Sequence, residues 1–174
     1  MAREEKASVW SSYTEADKEA LEKLAAGYRD FLSTCKTERE SVVEAVRQAK
    51  AAGYRDLCDV LQAGEKLKAG DKVYAVNMKK SIVLFQIGED PLGKGLAILG
   101  AHIDTCRLDV KQNPLYEDGG LAYLDTHYYG GIKKYQWVAM PLALHGVIVK
   151  QNGEKVSFSI GEDDSDPVFT ITDL

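Results

Sequence analysis

The chain has 174 residues, with 22 Lys and Arg against 27 Asp and Glu, a formal net charge of -5 and a pI near 5.3, a balance that argues against a general nucleic-acid-binding surface. At 45% apolar and 28% charged residues it is not disordered by composition, and its length suits one ordinary domain, or one plus part of another, burying roughly 70% of the unfolded surface. Three cysteines, Cys35, Cys58 and Cys106, without a Cys-x-x-Cys pair exclude a disulfide framework or cysteine-rich zinc finger and point to reduced thiols.

The amino terminus, Met1-Ala2-Arg3-Glu4-Glu5-Lys6, is charged and leads into no apolar core, so it is no secretory signal. No run approaches the roughly 18 apolar residues a membrane span needs. A soluble, cytoplasmic protein with no membrane partner is the expectation. Thr14, with Asp17 three residues later, is an imperfect capping box. Ala20, Leu21, Leu24, Tyr28, Phe31 and Leu32 then fall on one face of a first helix, a stripe read as packing surface. Thr37 and Glu40 form a better box for a second helix, with Val42, Val43, Val46 and Ala49 as its buried stripe and Gly53 as terminator.

The period then changes. Lys72 to Val76 and Ser81 to Ile87 read as strands around a turn at Asn77 to Lys80. Gly95-Leu96-Ala97-Ile98-Leu99-Gly100-Ala101 is almost wholly apolar, as suits a strand covered on both faces inside an α/β sheet. Such a strand delivers His102 to its carboxyl end, where sites in open α/β sheets lie. From about residue 113, Asn113-Pro114, Asp118-Gly119-Gly120 and Gly130-Gly131 are loop signals. Val147 to Lys150 and Lys155 to Ile160 read as a hairpin with Asn152-Gly153 as a type I′ turn. Val168 to Ile171 is extended in character, and Thr172-Asp173 resembles a helix start with only Leu174 after it.

The candidate chemistry centres on His102 and Asp104. On a strand the two share a face. A neutral imidazole binds zinc through one nitrogen, and a nearby carboxylate fixes the ring or helps to hold the metal's charge. The spacing alone is weak evidence, because a hydrogen-bonded histidine at a strand end has the same pattern. His127 and His145 read as structural hydrogen-bonding residues; His127, beside two tyrosines and two glycines, is also a candidate pocket residue. There is no His-Glu-x-x-His, no P-loop and no Gly-x-Ser-x-Gly elbow. The cysteines lack the local signatures of cysteine proteases, and the acidic run Gly161 to Asp166 reads as a solvated loop without the EF-hand pattern.

Ile98-Leu99-Gly100-Ala101-His102-Ile103-Asp104-Thr105-Cys106-Arg107-Leu108 resembles the first metal-ligand motif of the M18 aminopeptidases, approximately His-x-Asp-x-x-x-Leu. The resemblance continues through Thr126-His127-Tyr128-Tyr129-Gly130-Gly131, Trp137, Pro141 to Val147 and Asp166 to Leu174, and has the character of the bacterial, clostridial-type branch. It implies an α/β fold: amino-terminal helices and part of a mixed sheet of a zinc-exopeptidase catalytic domain over residues 1–112, then the start of a β-rich dimerisation domain over 113–174. It implies a two-zinc enzyme that releases amino-terminal residues from peptides and assembles as dimers stacked into a dodecamer. His102 matches the first zinc ligand, and Asp104 matches the aspartate that supports it in catalysis.

By the same resemblance the bridging aspartate, the paired glutamates, the other zinc ligands and a histidine that reaches a neighbouring subunit all lie beyond Leu174. The chain is therefore expected to be an amino-terminal fragment, inactive alone, since catalytic zinc takes three protein ligands plus water. Two alternatives stand beside it: a non-catalytic interaction module using its β surface, and a small-ligand domain with a pocket near His102 and Tyr129.

Overall fold

The computed structural model describes residues 8–172. Asp173 and Leu174, and with them most of the expected helix start, lie outside the described residues, as does the charged segment 1–7. The chain forms two compact units, one up to Cys35 and one from Lys36 onward.

The first unit carries a 3-10 turn, Val9–Ser12, and the helix α1, Glu15–Thr34. The Thr14 box is complete, not imperfect: the Asp17 amide donates to the Thr14 hydroxyl and the Asp17 carboxylate accepts the Thr14 amide. The apolar stripe of α1 is not buried. Leu24, Tyr28 and Leu32 are exposed, and no residue of α1 is buried. Among its described residues, one helix and one short turn supply no second layer of their own.

The second unit begins with α2, Glu38–Ala51, whose Thr37–Glu40 box is also complete. Its carboxyl end closes on Gly53, which takes a φ of 84°, with the Tyr54 amide bonded to the Ala49 carbonyl as in a Schellman motif. The two-residue strand β1, Arg55–Asp56, leads into α3, Leu57–Gln62. Strands β2, Lys72–Asn77, and β3, Ser81–Gln86, pair antiparallel, while β1 lies parallel to β2, giving a mixed sheet in the order β1-β2-β3. Helix α2 packs on β2 and β3, and α3 on β1 and β2.

Val42, Ala49, Val60, Val73 and Tyr74 form the buried core of this block. Val73 and Tyr74 are consecutive, so they face opposite sides of β2, and both sides are covered. Each such side chain contributes about 2 kcal/mol by burial. Of the expected α2 stripe, Val42 and Ala49 are buried, Val46 is half-buried and Val43 is exposed. The β2–β3 turn holds two non-glycine residues with positive φ, Met78 at 51° and Lys79 at 56°, each costing about 1–2 kcal/mol.

Residues 95–101 do not form the expected strand. They have no regular structure, and Leu96, Ile98 and Leu99 are exposed, Leu99 fully. An inner strand needs neighbours for its amides and carbonyls, and no described strand pairs with this segment.

Two separate hairpins follow. Strands β4, Arg107–Asp118, and β5, Leu121–Tyr129, are paired antiparallel with a register shift between Val110 and Leu115. The loop expected at Asn113-Pro114 is this irregular stretch of β4, where proline's missing donor is tolerated. Gly119 and Gly120, both at positive φ (58° and 78°), make the two-residue turn that joins Asp118 to Leu121, the form a type I′ hairpin requires. A short helix α4, Lys134–Trp137, precedes β6, Leu144–Val149, and β7, Lys155–Ile160.

The β6–β7 hairpin is where it was expected, but its turn differs. The Gly153 amide bonds to the Lys150 carbonyl and the Lys150 amide to the Glu154 carbonyl. Gly153 alone has positive φ there. The loop is thus three residues ending in a glycine bulge, not a two-residue Asn152-Gly153 turn. Phe169 bridges Leu142 with two backbone hydrogen bonds, so the closing segment is extended there as read. No described helix is long and apolar enough to cross a membrane.

The first turn of α2 reaches three β elements. Glu38 pairs with Arg107 of β4 at 3.2 Å. Arg39 donates to the Met78 carbonyl in the β2–β3 turn at 3.2 Å. Glu40 accepts from His145 of β6 at 2.8 Å. The second ring nitrogen of His145 donates to Glu162 at 2.8 Å, so the ring, largely buried between two carboxylates, is an imidazolium. Its structural role is as read from the sequence. Burial alone pushes its pKa down, but the hydrogen bonds to Glu40 and Glu162 raise it overall. Partial burial raises the Glu40 carboxyl, and the hydrogen bonds from His145, Lys36 and Thr37 outweigh this and hold it below its usual range.

Candidate functional site

The run from Ala101 to Cys106 leads into β4 without regular structure. His102 is therefore not presented by the end of a buried strand; its ring is 84% exposed. The pairing expected of His102 and Asp104 is nevertheless made. His102 Nδ1 lies 2.9 Å from the Asp104 backbone carbonyl and 3.1 Å from its Oδ1. A carbonyl oxygen only accepts, so Nδ1 carries a proton; in the neutral ring the lone pair is then on Nε2, on the side away from Asp104.

The β4–β5 register sets Tyr129 opposite Arg107, three residues past Asp104. From there the Tyr129 hydroxyl donates to Asp104 Oδ2 at 2.7 Å. That hydrogen bond is the leading reason why the Asp104 carboxyl is held below the usual carboxylate range, and the same bond raises the Tyr129 phenol. Asp104 thus uses one oxygen for His102 and the other for Tyr129.

Behind the tyrosine, the Arg107 guanidinium lies 4.0 Å from the Tyr129 ring centre, a cation–π contact. Arg107 is itself held by Asp109 at 2.7 Å and by Glu38 of α2. A connected series of polar contacts therefore runs from α2 through Arg107, Tyr129 and Asp104 to the His102 ring.

Sequence reasoning missed Arg107 and Glu38, and it named Tyr129 only as a pocket neighbour. The alternating pattern of Arg107 to Val110 and Thr126 to Tyr129 about the Gly119-Gly120 turn was the available signal. His127 lies on β5 and lines a shallow cleft of about 480 Å³ with Val110, Lys111, Gln112, Asn113 and Asp125; Lys111 and Asp125 pair across it at 3.0 Å. That cleft does not include His102 or Tyr129. In the acidic loop, Asp166 accepts the Gly161 amide at 2.8 Å, closing a polar turn on itself.

Among the described residues no group of three or more His, Cys, Asp and Glu side chains is placed to hold a metal ion. The donor set fits one imidazole ligand with a carboxylate behind it, and not a closed metal site.

The family model described as "Aminopeptidase I zinc metalloprotease (M18)" matches residues 31–174. A probable M18 family aminopeptidase 1 of Clostridium acetobutylicum is 56% identical over 169 residues, 96% of this chain and 36% of the relative. The crystal structure of aminopeptidase I from Borrelia burgdorferi B31 superposes with a TM-score of 0.88 at 37% identity, covering 97% of this chain and 41% of that one. A yeast dodecamer, at 21% identity with a TM-score of 0.71, covers 89% of this chain and 36% of that one and is alike in fold. The chain spans about a third of the length of the curated relatives it matches.

Proposed function

This chain belongs to the M18 family of aminopeptidases, and from that premise we propose that it carries the first zinc ligand of a metallo-aminopeptidase that removes amino-terminal residues from peptides. The observation that supports this is the His102 ring, exposed, with Nδ1 tied to Asp104, so that Nε2 is the nitrogen left to bind a metal. An unprotonated imidazole nitrogen backed by a carboxylate is the arrangement zinc-ligating histidines use. Two zinc ions per site are part of this reading. When bound, zinc supplies Lewis acidity and activation of water near neutral pH. In this chain His102 holds a ligand position, and Asp104 orients the ring.

One imidazole and one carboxylate do not make a catalytic centre. The 174 residues alone are therefore proposed to be inactive and to bind zinc weakly. Residues 1–112 are assigned to the catalytic part and 113–174 to the opening of a β-rich dimerisation part, with assembly into dimers or larger rings. The free thiols of Cys58 and Cys106 suit a cytoplasmic setting.

Titration of the ¹⁵N-labelled chain with zinc tests the ligand assignment. The His102 Nε2 resonance is expected to move first, and an unchanged His102 signal would overturn it. Stoichiometric tight zinc together with turnover of an aminoacyl-anilide by the purified chain would overturn the inactivity.

A second reading, an interaction module without catalysis, draws on the uncovered Leu96, Ile98 and Leu99, an apolar surface of the kind that marks contact sites. A monodisperse species that takes no zinc at His102 would favour it.

A further inference from the structure

We propose that Tyr129 is a positioning residue for the zinc ligand: its hydroxyl fixes the Asp104 carboxylate so that Asp104 holds the proton on His102 Nδ1 and leaves Nε2 as the donor. This deepens the metal-ligand reading of His102 and rests on it. The argument is geometric. Asp104 has two oxygens and a rotatable side chain. Oδ2 is taken by Tyr129 at 2.7 Å, which leaves Oδ1 facing His102 Nδ1 at 3.1 Å beside the backbone carbonyl at 2.9 Å.

His102 is the most exposed member of the group, and the backbone around it is irregular. Neither burial nor a sheet ladder holds its ring. What holds it is Asp104, and what holds the Asp104 carboxylate is a phenol delivered by a paired strand. Tyr129 is the last residue of β5, opposite Arg107, and the guanidinium 4.0 Å from its ring centre is fixed in turn by Asp109 and Glu38. The order imposed on His102 therefore originates in the β4–β5 register and in the first turn of α2. A hydroxyl that acts only through Asp104 has a distinctive consequence: without Asp104, its removal changes nothing at His102.

The test is a double-mutant cycle read by ¹⁵N spectra of the His102 ring, at a pH well above the ordinary imidazole range. In the unaltered chain the Nδ1–H tautomer is expected to dominate. Tyr129→Phe keeps the ring against Arg107 and removes only the hydroxyl; it should give a mixture of the two tautomers. In zinc titrations it should weaken binding at His102 about tenfold, the lower end of what loss of a supporting hydrogen bond costs a metal ligand. In an Asp104→Ala background, Tyr129→Phe should cause no further change in tautomer ratio.

An unaltered tautomer ratio in Tyr129→Phe, or an equal effect with Asp104 present and absent, would overturn the proposal. Should Tyr129→Phe disturb folding, the Asp104→Ala chain alone still decides: a persisting pure Nδ1–H tautomer there sinks it. Failure of the metal reading looks different. The tautomer would still depend on Tyr129, but zinc would leave the His102 resonances unmoved.

Discussion

The block from Ser41 to Tyr74 and the chain beyond it are built from the same kinds of residue and end in opposite states. In the first, Val42, Ala49, Val60, Val73 and Tyr74 are each buried to within a few percent, because α2 and α3 both lie against β2. Past Tyr74 no described residue is fully buried, although Leu96-Ala97-Ile98-Leu99 is wholly apolar. Hydrophobicity supplies the drive to bury, but a second layer has to exist before it acts. The hairpins β4–β5 and β6–β7 pair the backbone groups that face each other and leave faces such as Leu115, Leu121, Ile148 and Val149 exposed.

The sharpest way to break this contrast is to place a charge on each side of it. Val42→Asp should cost about 4 kcal/mol or more in urea unfolding, because an unpaired carboxylate would lie in the core. Leu99→Asp should change stability by no more than about 0.5 kcal/mol, while lowering dye binding to exposed apolar surface. Equal costs would mean that residues 95–101 are packed.

A smaller effect concerns how the hairpins are tied to the block. His145→Gln should cost about 1.5–2 kcal/mol, the worth of hydrogen bonds between charged groups. The pH dependence follows from the two shifts. The His145 pKa is raised, so its stabilisation is complete below the ordinary 6.5 and is lost as pH rises through the folded value. The Glu40 pKa is lowered, so its share is complete above the ordinary 4.5 and is lost as pH falls through the folded value. Stability measured against pH should show a plateau between these limits, and its alkaline shoulder should vanish in His145→Gln.

The smallest effect compares two helices with the same cap. Thr37→Ala should lower the global unfolding free energy by about 1 kcal/mol, since α2 belongs to the packed block. Thr14→Ala removes an equivalent box from α1, whose stripe is uncovered. It should reduce helicity by circular dichroism without shifting the cooperative transition.

Much of this was legible in the chain because it depends on near neighbours. Both caps, the α2 stripe at Val42 and Ala49, the β2–β3 and β6–β7 pairs, and the His102–Asp104 contact span few residues. What was not legible depends on partners far along the chain. Gly95 to Ala101 has a buried strand's composition, yet composition does not say whether a neighbour is present. Asp118-Gly119-Gly120 was seen as a loop although it is the turn of a long hairpin, because Lys111-Gln112-Asn113-Pro114 interrupts the alternation of the first strand at its register shift. At the site, Tyr129 is 25 residues from Asp104 and Arg107 is 69 from Glu38, separations that only register and packing define.

The grips of Glu38, Arg39 and Glu40 on β4, the β2–β3 turn and β6 occupy less than one helical turn. Consecutive side chains on a helix point roughly 100° apart, so the three radiate in fixed directions from one axis. Starting the helix a single residue early or late would swing every grip off its target at once. The Thr37 cap thus acts as an indexing mark as well as a stabiliser: it sets the rotational phase at which distant parts of the chain, including the arginine behind Tyr129, can be caught.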